Sequence, residues 1–285
     1  MKTYKSANAF RTALEERLRA RARKSGVNPQ RLWSLVAFDR LLARLLKDKE
    51  ERFVLKGGYA MELRVKTARV TKDVDLTAVS IKVKGSGREA INEALLAALQ
   101  ALAGEDLGDF FGFVIGRPTM DLDNAPYGGA RFPVEARMDG RTFVEFHLDV
   151  GVGDVITGPT EEIEGEDWLD FAAIPRPRFR MISREQQFAE KVHAYTLPRE
   201  GRPNSRVKDL VDMVLLIQLG GMTKEALTKA IRATFERRGT HSLPSPLPVP
   251  PEDWAKPFAA LANECKMKHD VASALAFVND YMVKA

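Results

Sequence analysis

The stretch from residue 52 to residue 76 constrains the fold of this chain more than any other. Arg-Phe-Val-Leu at 52–55 reads as a short buried strand, Lys56-Gly57-Gly58 forces a tight turn, and a helix starts at Tyr59 and runs to about Val65. A second strand, Val70 to Val79, carries Asp73 and Asp75. Side chains alternate along a strand, so these two carboxylates project from one face while Val74 and Leu76 bury on the other.

The rest of the chain is read from period and punctuation. Residues 7–24 place Phe10, Leu14 and Leu18 at helical spacing and stop at Ser25-Gly26. Asn28-Pro29 opens a second helix to about Lys47, whose buried face holds Leu32, Leu35, Val36, Leu42, Leu45 and Leu46. Residues 87–103 form an amphipathic helix ended by Gly104, and Phe110 to Ile115 form a strand. Strands at 131–138 and 141–150 flank Asp139-Gly140, a two-residue hairpin turn, so the sheet is mixed. In the second arm Val144, Phe146, Leu148 and Val150 face one side, and Glu145, His147 and Asp149 the other. After an acidic loop at 161–167 and the extended IPRPRF at 174–179, helices are expected at 184–196, 205–219, 223–238, 252–263 and 269–283. A proline-stiffened connector spans 241–254. The pattern predicts an α+β (α/β) fold with a mixed sheet flanked by helices in residues 1–180, and a helical C-terminal lobe in 181–285.

Composition removes several function classes. No apolar run reaches 18 residues, and charges are scattered through the first 24, so no membrane partner is expected and the chain is expected in the cytoplasm. The lone Cys265 cannot form an internal disulfide and reads as a small core residue, and four histidines without ligand spacing argue against structural zinc. Any metal is expected to be a hard one held by oxygen. A net charge of +5 permits a polyanionic partner such as nucleic acid. Basic residues crowd the first helix (Arg17, Arg19, Arg21, Arg23, Lys24), the region of Arg176, Arg178, Arg180 and Arg184, and a later helix with Arg232, Arg237 and Arg238.

Two carboxylates on one strand face suit Mg²⁺ or Mn²⁺, which take oxygen ligands and leave positions open for substrate phosphates. Two such ions, roughly 3.5–4 Å apart, can activate an attacking hydroxyl and stabilise a leaving pyrophosphate. The glycine pair complements them, because backbone N–H groups without side chains approach phosphate oxygens and the following helix adds its positive end. Asp-x-Asp alone also fits a solvated strand face, and Gly-Gly a plain turn. Their combination within about fifteen residues is what points to nucleotide chemistry.

FVLKGGYAMEL at 53–63 and ARVTKDVDL at 68–76 resemble the first signature of the DNA polymerase beta-like nucleotidyltransferase superfamily, in its AbiEii branch of type IV toxins. FAEKVHAY at 188–195 and RVKDLVDMVLL at 206–216 resemble that branch's later lysine helix and Asp-x-x-Asp helix. The resemblance implies a toxin that transfers NMP from an NTP, with Mg²⁺ or Mn²⁺, to the 3′ acceptor end of tRNA and so blocks translation. It also implies a cognate antitoxin. Asp73 and Asp75 would then be catalytic metal ligands, and Lys56, Gly57 and Gly58 would lie beside the triphosphate. Lys191 would meet phosphate charge, with Asp209 and Asp212 orienting it or a metal-bound water. Arg206 could reach triphosphate oxygens, and Asp149 is a candidate third metal carboxylate. Asp209 also suits the first turn of a helix capped by Ser205. His193, two residues beyond Lys191, points elsewhere and reads as a packed histidine. The wider superfamily has Ser where this chain has Gly58, so a hydroxyl near the phosphates is missing or displaced. Two alternatives remain: transfer to a small molecule or protein hydroxyl, and a non-catalytic nucleic-acid-binding or partner-binding protein with a degenerate site.

Overall fold

The computed structural model describes residues 4–47, 50–83, 87–122, 125–199, 201 and 203–284. Helix α1 (Ala7–Ser25) starts where the Ser6 side chain accepts the Ala9 N–H and ends at Gly26, whose φ of 70° suits a glycine C-cap. It buries Phe10, Leu14, Leu18 and Ala22, one residue per turn. Helix α2 (Pro29–Leu45) has proline in its first turn and the Asn28 side chain accepting from Gln30. Its buried surface extends beyond the apolar stripe to Asp39, Arg40 and Arg44. The Arg44 guanidinium, fully buried, donates to both Asp109 oxygens at 2.7 and 3.0 Å, and Arg40 donates to the same carboxylate at 2.6 Å. Burial opposes the charged form of Asp109, but the two guanidiniums outweigh it and hold its pKa below the usual carboxylate range.

Strand β1 (Phe53–Lys56) leads directly into α3 (Gly57–Arg64), and β2 (Asp73–Ala78) follows. Helix α4 (Arg88–Ala103), β3 (Gly112–Ile115), β4 (Met120–Asp121), β5 (Gly129–Met138) and β6 (Arg141–Val152) come next. Strands β7 (Glu161–Glu164) and β8 (Arg178–Met181) complete a sheet of order β3-β5-β6-β2-β1-β8-β7, with β4 paired to β5. The sheet is mixed as expected: β2 with β6 and β1 with β8 are parallel, while β5 runs antiparallel to β3, β4 and β6. Asp139 and Gly140 both take positive φ, 56° and 69°, the conformation a two-residue hairpin turn demands.

The helical remainder comprises α5 (Arg184–Thr196), α6 (Val207–Leu219), α7 (Lys224–Arg238), α8 (Ala255–Glu264) and α9 (Val271–Lys284). The fold is therefore α+β, a mixed sheet with flanking helices. By its contacts the chain separates into two compact units. The first holds Met1–Leu55, Lys72–Gly153 and Glu162–Met181; the second holds Lys56–Thr71, Asp154–Glu161 and Ile182–Ala285. Val74, Leu76, Leu95, Phe132, Leu148 and Val150 are buried in the first, and Met61, Phe188, Leu210, Val214, Phe258 and Val278 share the core of the second. No helix among the described residues is long and apolar enough to cross a membrane.

Four local expectations are corrected. Residues 161–164 form strand β7 rather than loop, because a strand at the end of a sheet takes its order from backbone pairing and tolerates charges on both faces. The stretch 174–179 enters the sheet only at its end, where Arg178 begins β8, which continues to Met181 in register with Leu55. Strand β2 starts at Asp73, not Val70, because the Val70 and Thr71 N–H groups donate to the side chains of Glu264 and Glu62. Helix α6 is not capped by Ser205; Arg206 is its N-cap residue, and the Asn204 side chain accepts the Arg206 N–H at 3.0 Å.

The Arg44–Asp109 pair yields a stability prediction. Asp109→Ala strands a fully buried guanidinium and should lower the free energy of unfolding by about 3–5 kcal/mol, read from urea denaturation at neutral pH.

Candidate active site

In the first unit, β2 and β6 run parallel with Asp73 in register with His147 and Asp75 in register with Asp149. Residues in register share a face, so three carboxylates and an imidazole lie on one side of two adjacent strands. Val74, Leu76, Leu148 and Val150 on the other side are all at 0% exposure, which fixes the register: a slip of one residue would bury the carboxylates. Arg131 of β5 pairs with Asp149, and its guanidinium donates through Nε at 2.7 Å and Nη2 at 2.8 Å to the two carboxylate oxygens. The same group lies 3.5 Å from Asp73 Oδ2, and His147 Nδ1 lies 3.7 Å from Asp73 Oδ1. Hydrogen bonding to Asp149 raises the Arg131 pKa against a smaller opposing effect of burial, and the charges of Asp149, Asp73 and Asp75 add to it. A groove of about 630 Å³ opens beside Asp73, lined by Lys72, Pro133, Glu135, Glu145 and His147 among others.

Among the described residues, no three His, Cys, Asp or Glu side chains group closely enough to hold an ion by themselves. The donor chemistry still fits a hard divalent cation. Asp73 and Asp75 offer carboxylate oxygens from one rigid strand face, both are only partly buried, and Asp149 stands in register beside them.

The second unit holds the glycine turn. Gly57 has a φ of 67°, which only glycine adopts readily. A Cβ on Gly58 would stand 2.7 Å from Thr71 Oγ1 and 2.9 Å from Thr71 Cβ, so the chain's departure from serine here has a steric cause. The hydroxyl of Thr71 occupies the space that a side chain at 58 would need. Lys56, at the N-cap of α3, pairs its ammonium with Asp154 and stands 3.9 Å from Glu190. Arg238 donates to the other Asp154 oxygen at 2.9 Å. Burial opposes the charged form of Asp154, but Lys56 and Arg238 outweigh it and bring its pKa down to about 2. Burial likewise opposes the charge on Lys56, yet Glu190 and Asp154 leave its pKa above the ordinary lysine value. Glu190 is pushed up by burial.

Helices α5 and α6 bring Lys191, Asp209 and Asp212 together. The Lys191 ammonium donates to Asp212 at 2.5 Å and to Asp209 at 3.3 Å, and Arg206 Nη1 lies 3.8 Å from Asp209. Asp212, fully buried, also accepts two bonds from Arg69, at 3.1 and 2.8 Å. Burial disfavours the Lys191 ammonium, but Asp212 and Asp209 more than offset that and its pKa is raised. Two cations thus face two carboxylates in a nearly dry pocket. Cys265 is buried and its thiol pKa is pushed up to about 11 by desolvation.

His193 packs on Phe235 and belongs to a directed hydrogen-bond chain. A guanidinium only donates, so the Arg238 contact at 3.3 Å makes His193 Nδ1 an acceptor and leaves the proton on Nε2. Nε2 then donates to Thr240 at 2.9 Å, Thr240 to His241 Nδ1 at 2.9 Å, and His241 Nε2 to Thr196 at 2.8 Å. Thr196 closes the chain on the Val192 carbonyl at 2.8 Å.

Sequence reasoning passed over Arg69, Arg131, Asp154 and Glu190, and read Arg238, which is largely buried against Asp154, only as part of a basic segment. Arg131 is instructive. Counting outward from the Asp139-Gly140 turn sets it opposite Leu148, on the wrong face for Asp149. A bulge between Ala136 and Arg137 shifts the register by one and brings it to Asp149. The other four meet their partners only through tertiary packing.

A family profile described as nucleotidyl transferase AbiEii toxin, type IV TA system, matches residues 40–277. The chain belongs to the AbiEii toxin family. No match is found among curated proteins. Among solved structures the chain is similar to MenT4, a nucleotidyltransferase toxin of Mycobacterium tuberculosis, at 19% identity and a TM-score of 0.52, covering 88% of this chain and 94% of that one. It is also similar to JHP933 of Helicobacter pylori, at 14% identity and a TM-score of 0.46, covering 90% and 95%. The MenT4 likeness agrees with the mixed-sheet fold. Membership in the AbiEii family makes the chain a nucleotidyltransferase toxin, and it implies an NTP substrate and an antitoxin partner.

Two predictions follow from the second unit. Gly58→Ser should destabilise the protein by about 1–3 kcal/mol through the clash with Thr71, seen as a lowered Tm. Burial, reinforced by Arg238 and His241, pulls the His193 pKa down to about 3, below the 6.5 of a free imidazole. The unfolded chain therefore takes up the proton first, and stability is lost as pH falls from 6.5 toward 3. Denaturant titrations should show a contribution of about 1.4 kcal/mol per pH unit in that window, absent in His193→Gln.

Proposed function

We propose that this AbiEii toxin transfers a nucleoside monophosphate from an NTP to the 3′ acceptor end of tRNA and thereby blocks translation. The observation that carries the reading is the shared face of Asp73, Asp75 and Asp149 on two parallel strands in register. The 3′ hydroxyl oxygen gives up its proton to water and forms a bond to the α-phosphorus, the bond to the bridging oxygen breaks, and pyrophosphate leaves with that electron pair. Mg²⁺ or Mn²⁺ bound at Asp73 and Asp75, with Asp149 as the third carboxylate, would supply charge neutralisation for both oxygens. The backbone N–H groups of Gly57 and Gly58 and the start of α3 are assigned to the triphosphate. Lys56, committed to Asp154 and Glu190, holds that turn and lends it positive charge. Lys191 is assigned to phosphate charge, with Asp209 and Asp212 setting its direction and Arg206 at the edge of the group. Such catalysis is mostly positioning and electrostatics.

A polyanionic acceptor is supported by the net charge of +5 and by the exposed Arg19, Arg23 and Lys24 of α1. On this reading the reaction takes place in the cytoplasm, and a cognate antitoxin is the partner.

The test is incubation of the protein with Mg²⁺, total tRNA and each labelled NTP in turn. Label should move to tRNA, and Asp73→Asn or Asp75→Asn should reduce transfer by about a hundredfold or more. Full activity in both variants refutes the assigned metal pair, and label appearing only on protein or a small molecule refutes the tRNA acceptor.

A further inference from the structure

Three carboxylates on one face of two paired strands repel one another, and the Arg131 guanidinium lies against two of them. Arg131 engages both oxygens of Asp149, at 2.7 and 2.8 Å, and lies 3.5 Å from Asp73. Its backbone is fixed from two sides. It pairs with Asp149 of β6 and with Met120 of β4, and its carbonyl accepts the Thr119 N–H at 2.9 Å. The side chain is less confined. Of its side-chain surface 29% is exposed, against 13% for Asp149.

We propose that Arg131 is a tethered counter-cation that sets how tightly this carboxylate face takes up divalent metal ions, an inference that rests on the metal reading of Asp73 and Asp75. A guanidinium has no lone pair to offer a metal and stays charged at every working pH. Its effect on an ion at Asp73 and Asp75 is therefore repulsion between like charges a few ångströms apart, together with the withdrawal of both Asp149 oxygens into a bidentate pair. Arg131 keeps the affinity for free divalent ions low. An anionic triphosphate, which brings its own oxygens and negative charge, relieves that repulsion. The residue tunes the site rather than belonging to the ligand set.

Mn²⁺ binding to the full-length protein, followed by electron paramagnetic resonance of the free ion, tests this without relying on turnover. Arg131→Gln should bind Mn²⁺ at least about tenfold more tightly than the unaltered protein. Arg131→Lys, which keeps the charge but loses the fork, should stay within about threefold of it. Circular dichroism checks that each variant is folded, and Arg131→Met, which preserves the packing of the stem, replaces the glutamine should that variant fail. Asp75→Asn in the Arg131→Gln background should abolish the gain. Unchanged or weaker binding in Arg131→Gln, with loss on adding Asp75→Asn, overturns the inference and leaves the metal reading intact. Equal tightening in Arg131→Lys also overturns it, since charge would then not be the cause. Absence of Mn²⁺ uptake in every protein, or indifference to Asp75→Asn, overturns the metal reading itself.

Discussion

The parallel register of β2 on β6 is the constraint from which the chemistry of the first unit follows. It sets Asp75 beside Asp149 and Asp73 beside His147, while four fully buried aliphatic side chains beneath prevent the pair from slipping. An arrangement of like charges held this rigidly is unfavourable unless something cationic answers it. The hairpin bulge at Ala136/Arg137 supplies that answer, because it swings Arg131 onto the same face. The apolar side of the sheet thus carries the energetic load that allows the other side to hold like charges side by side.

The second unit solves a related problem by the opposite means. Many of its charges are drawn out of water into shared clusters: Lys191 and Arg69 on Asp212, with Lys191 also on Asp209, and Lys56 and Arg238 on Asp154, with Lys56 near Glu190. Buried pairs add little net stability, but removing one partner is costly, so such groups fix geometry. The directed chain from Arg238 through His193, Thr240 and His241 to Thr196 extends that ordering along α5, the helix that carries Lys191.

Much of the architecture was legible from residues alone. The opening at Asn28-Pro29 and the stop at Gly26 marked helices where period and burial agreed. The alternation of Val144 to Val150 gave the faces of β6 correctly, and the Asp73-x-Asp75 spacing announced a shared face. Strand β7 escaped notice because its Glu161, Glu162 and Glu164 carry no apolar signal. The Arg131 pair escaped because a single extra residue in a hairpin reverses which side chains meet, and nothing in the composition of 136–144 marks it. The commitment of Lys56 to Asp154 was invisible for another reason: 98 residues separate them, and only the packed second unit brings them together.

The interleaving of the two units bears on how the chain is made. It passes from one unit to the other five times, and the glycine-turn segment Lys56–Thr71 belongs with helices that begin beyond residue 182. Met61 of that segment shares a core with Phe258 and Val278. During translation, then, the early segment leaves the ribosome long before the helices that enclose it exist. The second unit can close its core only after α8 and α9 have been synthesised, so a nascent chain stalled anywhere upstream carries the toxin's residues without the toxin's structure.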